Sequence, residues 1–551
     1  MLFLLCSLSL FPAAETLRAS SATWKLDPTS DDWNTVTNWT PETVPNDPAD
    51  VATFATSETT SVSLSAPTHV DSVVFDPSAS AFSVNTAASH LTFLGAGIVN
   101  NSANEQNLIT GLLDGGNINF RNNATAGDAV FTVYGNALQP YVSFYENATA
   151  GNASFTNMGG FGGAVTWFFD SSTAGNATFY NFTRGDGFND GVTVFEDDAT
   201  AGTATIFCEG GGAVFHKRSS AANSTIISDS GNIVFDDDAT GGNATIMVNG
   251  AIGSDAGFGL LFLEEHASAE NATLIANGGV DGGHGGLIEF YSETRGHKAR
   301  VKLFGNGKLD ISSHSLLAPI TVGSLEGDGA VALGANNLIL GLNQVQTTFS
   351  GLITDGRNDT GGSITKVGSG TLDLRGSNNY SGGTTLVSGN LLVNNTTGSG
   401  TGTGPVQVIG GTLGGRGLIA GAVSVGTGQT GSAILAPGAN STGVLTIQNT
   451  VTFAGRGTYK WNVDAVGNTS DEIAAAGVTI SQGALFSAIL LGNATLPVGA
   501  AFTAIANTGA LPISGTFTNL PDGSRFTAGN NTFHASYEGG DGNDLTVTVV
   551  P

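Results

Sequence analysis

The chain has 551 residues, of which 80 are glycine and only 11% are charged, while 40% are hydrophobic. That length exceeds one ordinary compact domain, and the apolar content excludes a disordered acidic tail. A net charge of −27 excludes nucleic-acid binding through phosphate neutralisation and adhesion to anionic lipid, and points to a soluble, self-repelling surface.

The opening stretch MLFLLCSLSLFPAAETLRASSA reads as the apolar core of a secretory leader over residues 1–22, with cleavage expected after Ala22. The basic residue usual ahead of such a core is missing, since the first is Arg18, which fits a start placed slightly late. Leu5 is too bulky to precede a lipidated Cys6. Removing the leader leaves Cys208 alone, so packing and ladder hydrogen bonds must supply the stability that no internal disulfide can. No later segment is apolar over a length that spans a bilayer, so no integral membrane segment is expected. Residues 23–116 are read as an N-terminal cap and first coils.

Over 117–310 one phrase recurs. FRNNATAGDAVFTVYGN, FYENATAGNASFTNMGG and FFDSSTAGNATFYNFTR align on a small pair beginning at Ala124, Ala148 and Ser172, then at Ala199, Ser219, Ala239 and Ala267. Successive spacings run from 20 to 28 residues. Four residues before each start stands Phe or Leu (Phe120 to Leu263), and seven after stands Phe, Ile or Leu (Phe131 to Leu274). No long stretch keeps a helical apolar period. Each unit reads as a strand, a small-residue corner, a second strand and a Gly/Asn turn, which cannot bury its apolar face alone. The expected fold is therefore all-β, a parallel β-helix (β-solenoid) forming an elongated rod. Coiling roughly 520 mature residues at about 22 per rung gives about two dozen rungs and a rod ~110 Å long.

Stacking makes the residues before the small pair fall into columns: Asp197–Asp198, Lys217–Arg218 and Asp237–Asp238 on three successive units. A solvated acid–base–acid ladder is the expected reading; a calcium or catalytic cluster is the alternative, weakened by the two basic residues. The phrase also spells N-x-S/T at Asn123, Asn147, Asn152, Asn176, Asn181, Asn223, Asn243 and Asn271. Since these recur with the repeat, stacking and turn capping are favoured over glycosylation.

From 311 to 551 the coils continue. SITKVGSGTLDLRGSNNYSGGTTLVSGNLLV at 363–393 resembles the autotransporter-associated β-strand repeat, also called the passenger-associated transport repeat. The matching residues are Lys366, Gly368, Gly370, Leu372, Leu374, Gly376, Asn379, Tyr380, Gly382, Gly383, Thr384, Gly389, Leu391 and Val393. Later stretches resemble what flanks that repeat: ILAPGANSTGVLTI, a strand leading to Asp471, and the final YEGGDGNDLTVTVV. The start resembles the opening of large secreted members through Trp24, Trp33, Asn38, Trp39, Pro45, Asp50, Ala52 and Phe54. The resemblance implies a right-handed β-helix exported to the cell surface or beyond. Such proteins end in a membrane barrel, whereas this sequence stops after a passenger-like strand at Pro551, so an export route other than self-transport, or a periplasmic location, is expected.

The tryptophans of the opening are expected to cover the open end of the stack, with sugar stacking as the alternative role. Chemistry is sparse. The eight histidines make no metal-ligand spacing, Asp281–His284 sits in a Gly-rich loop, and no nucleophile elbow occurs. GGDGNDLTV (539–547) is a single copy of a calcium-type turn and reads as a last turn and strand. No catalytic, cofactor-binding or metal residue is assigned, and no cofactor is expected. The function read from the sequence is an exported, non-enzymatic passenger-like protein with a surface structural or adhesive role. Its ligand is unknown, polysaccharide being one candidate. The alternatives are a carbohydrate-active β-helix enzyme (polysaccharide lyase or hydrolase) and a polysaccharide-binding module.

Overall fold

The computed structural model describes residues 20–112, 115–183, 190–315, 319–356, 359–428 and 431–551. The expected leader lies outside them up to residue 19. Among the described residues there is no α-helix, only a short 3-10 turn at Val36–Asn38, and no helix is long and apolar enough to cross a membrane. The strands stack in parallel as a β-solenoid of about 18 turns. At the strand spacing of a sheet this is a rod ~85 Å long. The turns are fewer than the expected two dozen because many coils exceed 22 residues and the last strands leave the stack for antiparallel pairs.

One parallel sheet climbs from Ala22–Trp24 to Leu352–Thr354. A second climbs without interruption from Ser61–Ser63 to Leu485–Leu491, so the middle and C-terminal coils form one continuous rod. A third face appears as a sheet from Ile320–Val322 to Val478–Ile480.

The two recurring apolar positions are the core. Phe120, Phe144, Phe168, Phe195, Phe215 and Phe235 stack face to face at 4.6–4.8 Å on the first sheet, all buried. Phe131, Phe155 and Phe179 do so on the second, continued by Ile206, Ile226 and Ile246. The columns meet edge to face, as Phe144 and Phe155 do at 6.0 Å and 78°. Each such contact adds about 0.5–1.5 kcal/mol beyond burial.

Between them the corner is itself a ladder. Thr125, Thr149, Thr173, Thr200, Ser220, Thr240 and Ser268 are parallel bridge partners on successive rungs. In T-A-G the threonine Oγ1 accepts the glycine N–H, at 3.1 Å for Gly127, Gly151, Gly175 and Gly202. Gly151 has φ +63°, and a Cβ there would sit 2.7 Å from the Gly127 carbonyl, so glycine suits both the turn and the close rung below; Ala222 and Glu270 take the same place at φ +49° on later rungs.

Trp24, Trp33 and Trp39 close the lower end. Trp39 packs at 5.1 Å on both Trp24 and Trp33, all three surround Phe54 at 5.5–5.9 Å, all are buried, and the Trp33 and Trp39 indoles donate to the carbonyls of Pro45 and Trp33. Trp39–Thr40 pairs antiparallel with Ala22–Trp24 and covers the sheet edge. Ala22 also pairs with Ala52, and the Ser20 N–H is donated to Asp50, so residues just ahead of the expected cleavage point belong to this first coil.

Truncating one central ring tests the column. Phe144→Ala is expected to cost about 3–5 kcal/mol, read as a lower denaturant midpoint, whereas exposed Asn147→Ala leaves the midpoint near the parent's.

Candidate functional site

Beside the first sheet the chain turns through one left-handed residue per rung: Glu146, Asp170, Asp197, Lys217, Asp237 and Glu265, with φ from +52° to +55°. The carboxylates at this corner stitch rungs together. Glu146 accepts the Asn122 N–H (3.1 Å), Asp170 that of Glu146 (3.0 Å), Asp197 that of Asp170 (3.2 Å), and Asp237 that of Lys217 (3.0 Å). Lys217 interrupts the acids, and its Nζ reaches back to Asp197 (2.8 Å) and Glu196 (3.2 Å). Arg218 grips Asp198 with two bonds of 2.8 and 2.7 Å. The predicted acid–base ladder therefore exists, with the side-chain ion pairs running to the preceding acidic pair. Hydrogen bonds from Lys217 and Asp170 hold Asp197 below the usual carboxylate range, and Arg218 does the same for Asp198.

Glu146, Asp170, Asp197, Asp198 and Asp237 are each engaged by a backbone N–H or a basic side chain of a neighbouring rung, whereas a glycosidic acid–base pair must face the bond it cleaves. His216 lies 3.6 Å from Asp236, and their ligand atoms fall within 4.8 Å of one another and of Asp237, whose carboxylate already accepts the Lys217 N–H. The residue that sequence reading missed in this corner is Glu264, pushed up by burial and by Asp236 and Glu265. His314 is buried between the carbonyls of Ser315 and Thr294. In the Gly-rich loop, His284 packs against Phe258, while Asp281 is exposed.

The opening tryptophans cannot stack sugars: Trp33 and Trp39 are 0% exposed and Trp24 1%. The partly exposed aromatics lie elsewhere. Trp167 packs on Phe169 (5.3 Å), Phe169 on Tyr145 (5.0 Å), and the Arg121 guanidinium lies 4.2 Å over Tyr145. Their ring faces cover one another. On the other face an apolar groove of about 500 Å³ is lined by Leu112, Tyr134, Met158, Phe161 and Phe182. The sequence signal for these was the aromatic at alternate positions to the core ring, as Trp167 stands beside Phe168.

The sequon asparagines are largely a ladder. Asn176 Nδ2 donates to Asn152 (3.1 Å), Asn243 to Asn223 (3.2 Å) and Asn271 to Asn243 (3.2 Å), while Asn181 is buried and donates to the Gly212 carbonyl. A glycan on one rung would displace that ladder and crowd the next rung ~4.8 Å away.

The 363–393 segment is also structural. Lys366 lies on an inward column between Leu340 and Leu386, 2% exposed, and its ammonium donates to the carbonyls of Val367, Gly368 and Ser388. Burial pushes it down to about 8. Buried Tyr380 shares a 2.6 Å bond with Thr384, which donates to Thr401. Where the first sheet ends, Asn378 takes over: its side chain accepts the Ile353 N–H and donates to Gly400, whose N–H meets Leu418, the start of the C-terminal sheet. Asp471 is buried under three donors from Gly443 and Asn462, with desolvation pushing it up to about 7. In GGDGNDLTV, Asp544 accepts the Asn507 N–H and Leu545 is a core residue of a final antiparallel strand.

The ion pairs carry a signed pH dependence. Asp197 and Asp198 are depressed, so their contribution is present above the unfolded carboxylate value near about pH 4 and is lost as pH falls below it. Lys217→Met combined with Arg218→Met is expected to change the acid limb of a stability–pH curve below about pH 4, removing the extra proton uptake there. A variant curve parallel to the parent's through that range would contradict the assignment.

The passenger-associated-transport-repeat family matches residues 364–393. A curated relative, the adhesin BmaC autotransporter of Brucella suis biovar 1 (strain 1330), is 36% identical over 125 residues, which are 22% of this chain. The chain spans only 4% of that relative's length. The crystal structure of the Haemophilus influenzae Hap adhesin aligns with 92% of this chain and 65% of that one, at 11% identity and a TM-score of 0.21, too low to carry an argument. On the sequence match, the chain carries a passenger-associated transport repeat.

Proposed function

We propose that this chain is an exported β-helical passenger-like protein with an adhesive or structural role at the cell surface, and that its leader ends ahead of Ser20, since Ser20 and Ala22 already bond to the first coil. The observation that carries the reading is a passenger repeat built into a continuous solenoid, in a chain similar over 125 residues to an autotransporter adhesin. The corner carboxylates, engaged by backbone N–H groups and by Lys217 and Arg218, favour this over a polysaccharide lyase or hydrolase. A rod with short corners offers adhesion long, repetitive outer faces rather than a deep pocket.

The test is protease shaving of intact producing cells, followed by immunoblotting for the chain. Loss of the intact band on whole cells supports surface exposure. Loss only after the outer membrane is permeabilised would make the chain periplasmic and overturn the surface role. In parallel, the purified chain is expected to release no reducing ends from acidic or neutral polysaccharides.

A further inference from the structure

On the outer face of the second sheet, packing between rungs accounts for only part of an apolar column: Tyr180 stacks on Phe207 at 5.2 Å, while Ile227, Met247 and Ile275 carry the column on in partly exposed positions. Two columns run side by side over five rungs. Thr178, Thr205, Thr225, Thr245 and Thr273 are register partners. So are Tyr180, Phe207, Ile227, Met247 and Ile275, two residues further along each strand. Every one of these side chains is partly exposed, and the asparagine ladder borders the threonines. Large apolar residues in an unbroken outward column are a liability unless something covers them.

The charge pattern says what kind of occupant fits. No residue of these columns is charged at neutral pH, although the chain carries −27 overall. The next rung ends the array with Arg300 and Lys302, both paired to Glu326. A polyanion is repelled by the net charge, and a polycation is drawn to the acidic corner columns instead. Size argues against a second copy of the chain. Five rungs at ~4.8 Å by a strand some four residues wide make a patch of roughly 300 Å², well under the ~800 Å² per partner of a stable protein interface. An extended uncharged polymer running along the rod needs far less width.

We infer that this face binds an uncharged polysaccharide lying along the solenoid axis. The apolar faces of its sugar rings lie on the Tyr180–Ile275 column, and its hydroxyls exchange hydrogen bonds with the Thr178–Thr273 column and the asparagines. The inference rests on the adhesive reading for its biological use, yet the binding is a property of the purified chain and stands or falls separately from export.

The experiment is co-sedimentation of the purified chain with microcrystalline cellulose and chitin, alongside affinity electrophoresis in soluble neutral β-glucan and in polygalacturonate. The variant is Ile227→Thr, Met247→Thr and Ile275→Thr together, which removes three of the five residues of the apolar column and keeps residues of high strand propensity. Binding by the parent to a neutral polysaccharide, weakened at least about tenfold in the triple variant with an unchanged circular dichroism spectrum, is the expected result. Should that variant fail to fold, Thr225→Lys with Thr245→Lys replaces it with the same expectation. The inference is overturned if the parent binds none of the neutral polymers, if it prefers polygalacturonate, or if the triple variant binds as well as the parent. A parent dimer that the triple variant converts to monomer also overturns it, since the face would then be covered by a second copy.

Discussion

Everything in this molecule follows from stacking coils in register at one fixed spacing. A ring at one inward position must sit on the ring below it, which is why Phe120 through Phe235 run as a single stack. The same constraint reaches the corner, where a Thr or Ser hydroxyl satisfies a backbone N–H within the turn and the left-handed residue that follows packs closely on the rung beneath. It also dictates the polar surface. Asparagine amides and corner carboxylates hydrogen-bond to the neighbouring rung because that partner is always present at the same distance. Polar residues that would signal a site in a globular enzyme are, in this geometry, mostly occupied by the repeat itself.

The C-terminal coils meet the same constraint with different parts. The first sheet stops at Leu352–Thr354, and a side chain, Asn378, carries its hydrogen bonds onward to Gly400 and so to the sheet that starts at Leu418. The recognisable repeat thus lies where the coil changes its cross-section. Its most sequence-specific residues, Lys366 and Tyr380, are buried and bonded to neighbouring residues, not displayed. The repeat therefore identifies a kind of rod more than a ligand.

The core was legible in the sequence because a drifting repeat that preserves Phe144 and Phe155 can be aligned by eye. The tryptophan cap was legible too, and burial removes its alternative as a sugar platform. The repeat put Ile226 at a core position, seven after Ser219, and it is buried. What could not be read was that its neighbour Ile227 joins Phe207 and Met247 in an outward apolar column, which only the pairing between rungs shows. The third column, at Thr149 and Thr173, was also hidden, since single-residue bridges leave no alternating strand pattern. Glu264 gave no signal because burial in the stack, and Asp236 on the preceding rung, set its environment more than its sequence neighbours do.

The central claim, parallel in-register stacking, is tested most directly by disulfide trapping at outward positions. Thr225 and Thr245 are register partners, so Thr225→Cys with Thr245→Cys brings two thiols within the ~4.4–6.8 Å Cα range of a disulfide. Thr225→Cys with Met247→Cys displaces one thiol by two residues along the strand Thr245–Val248, beyond that range. The account predicts that mild oxidation cross-links the first pair and leaves the second reduced. Equal cross-linking of both pairs, or of the second alone, would contradict it.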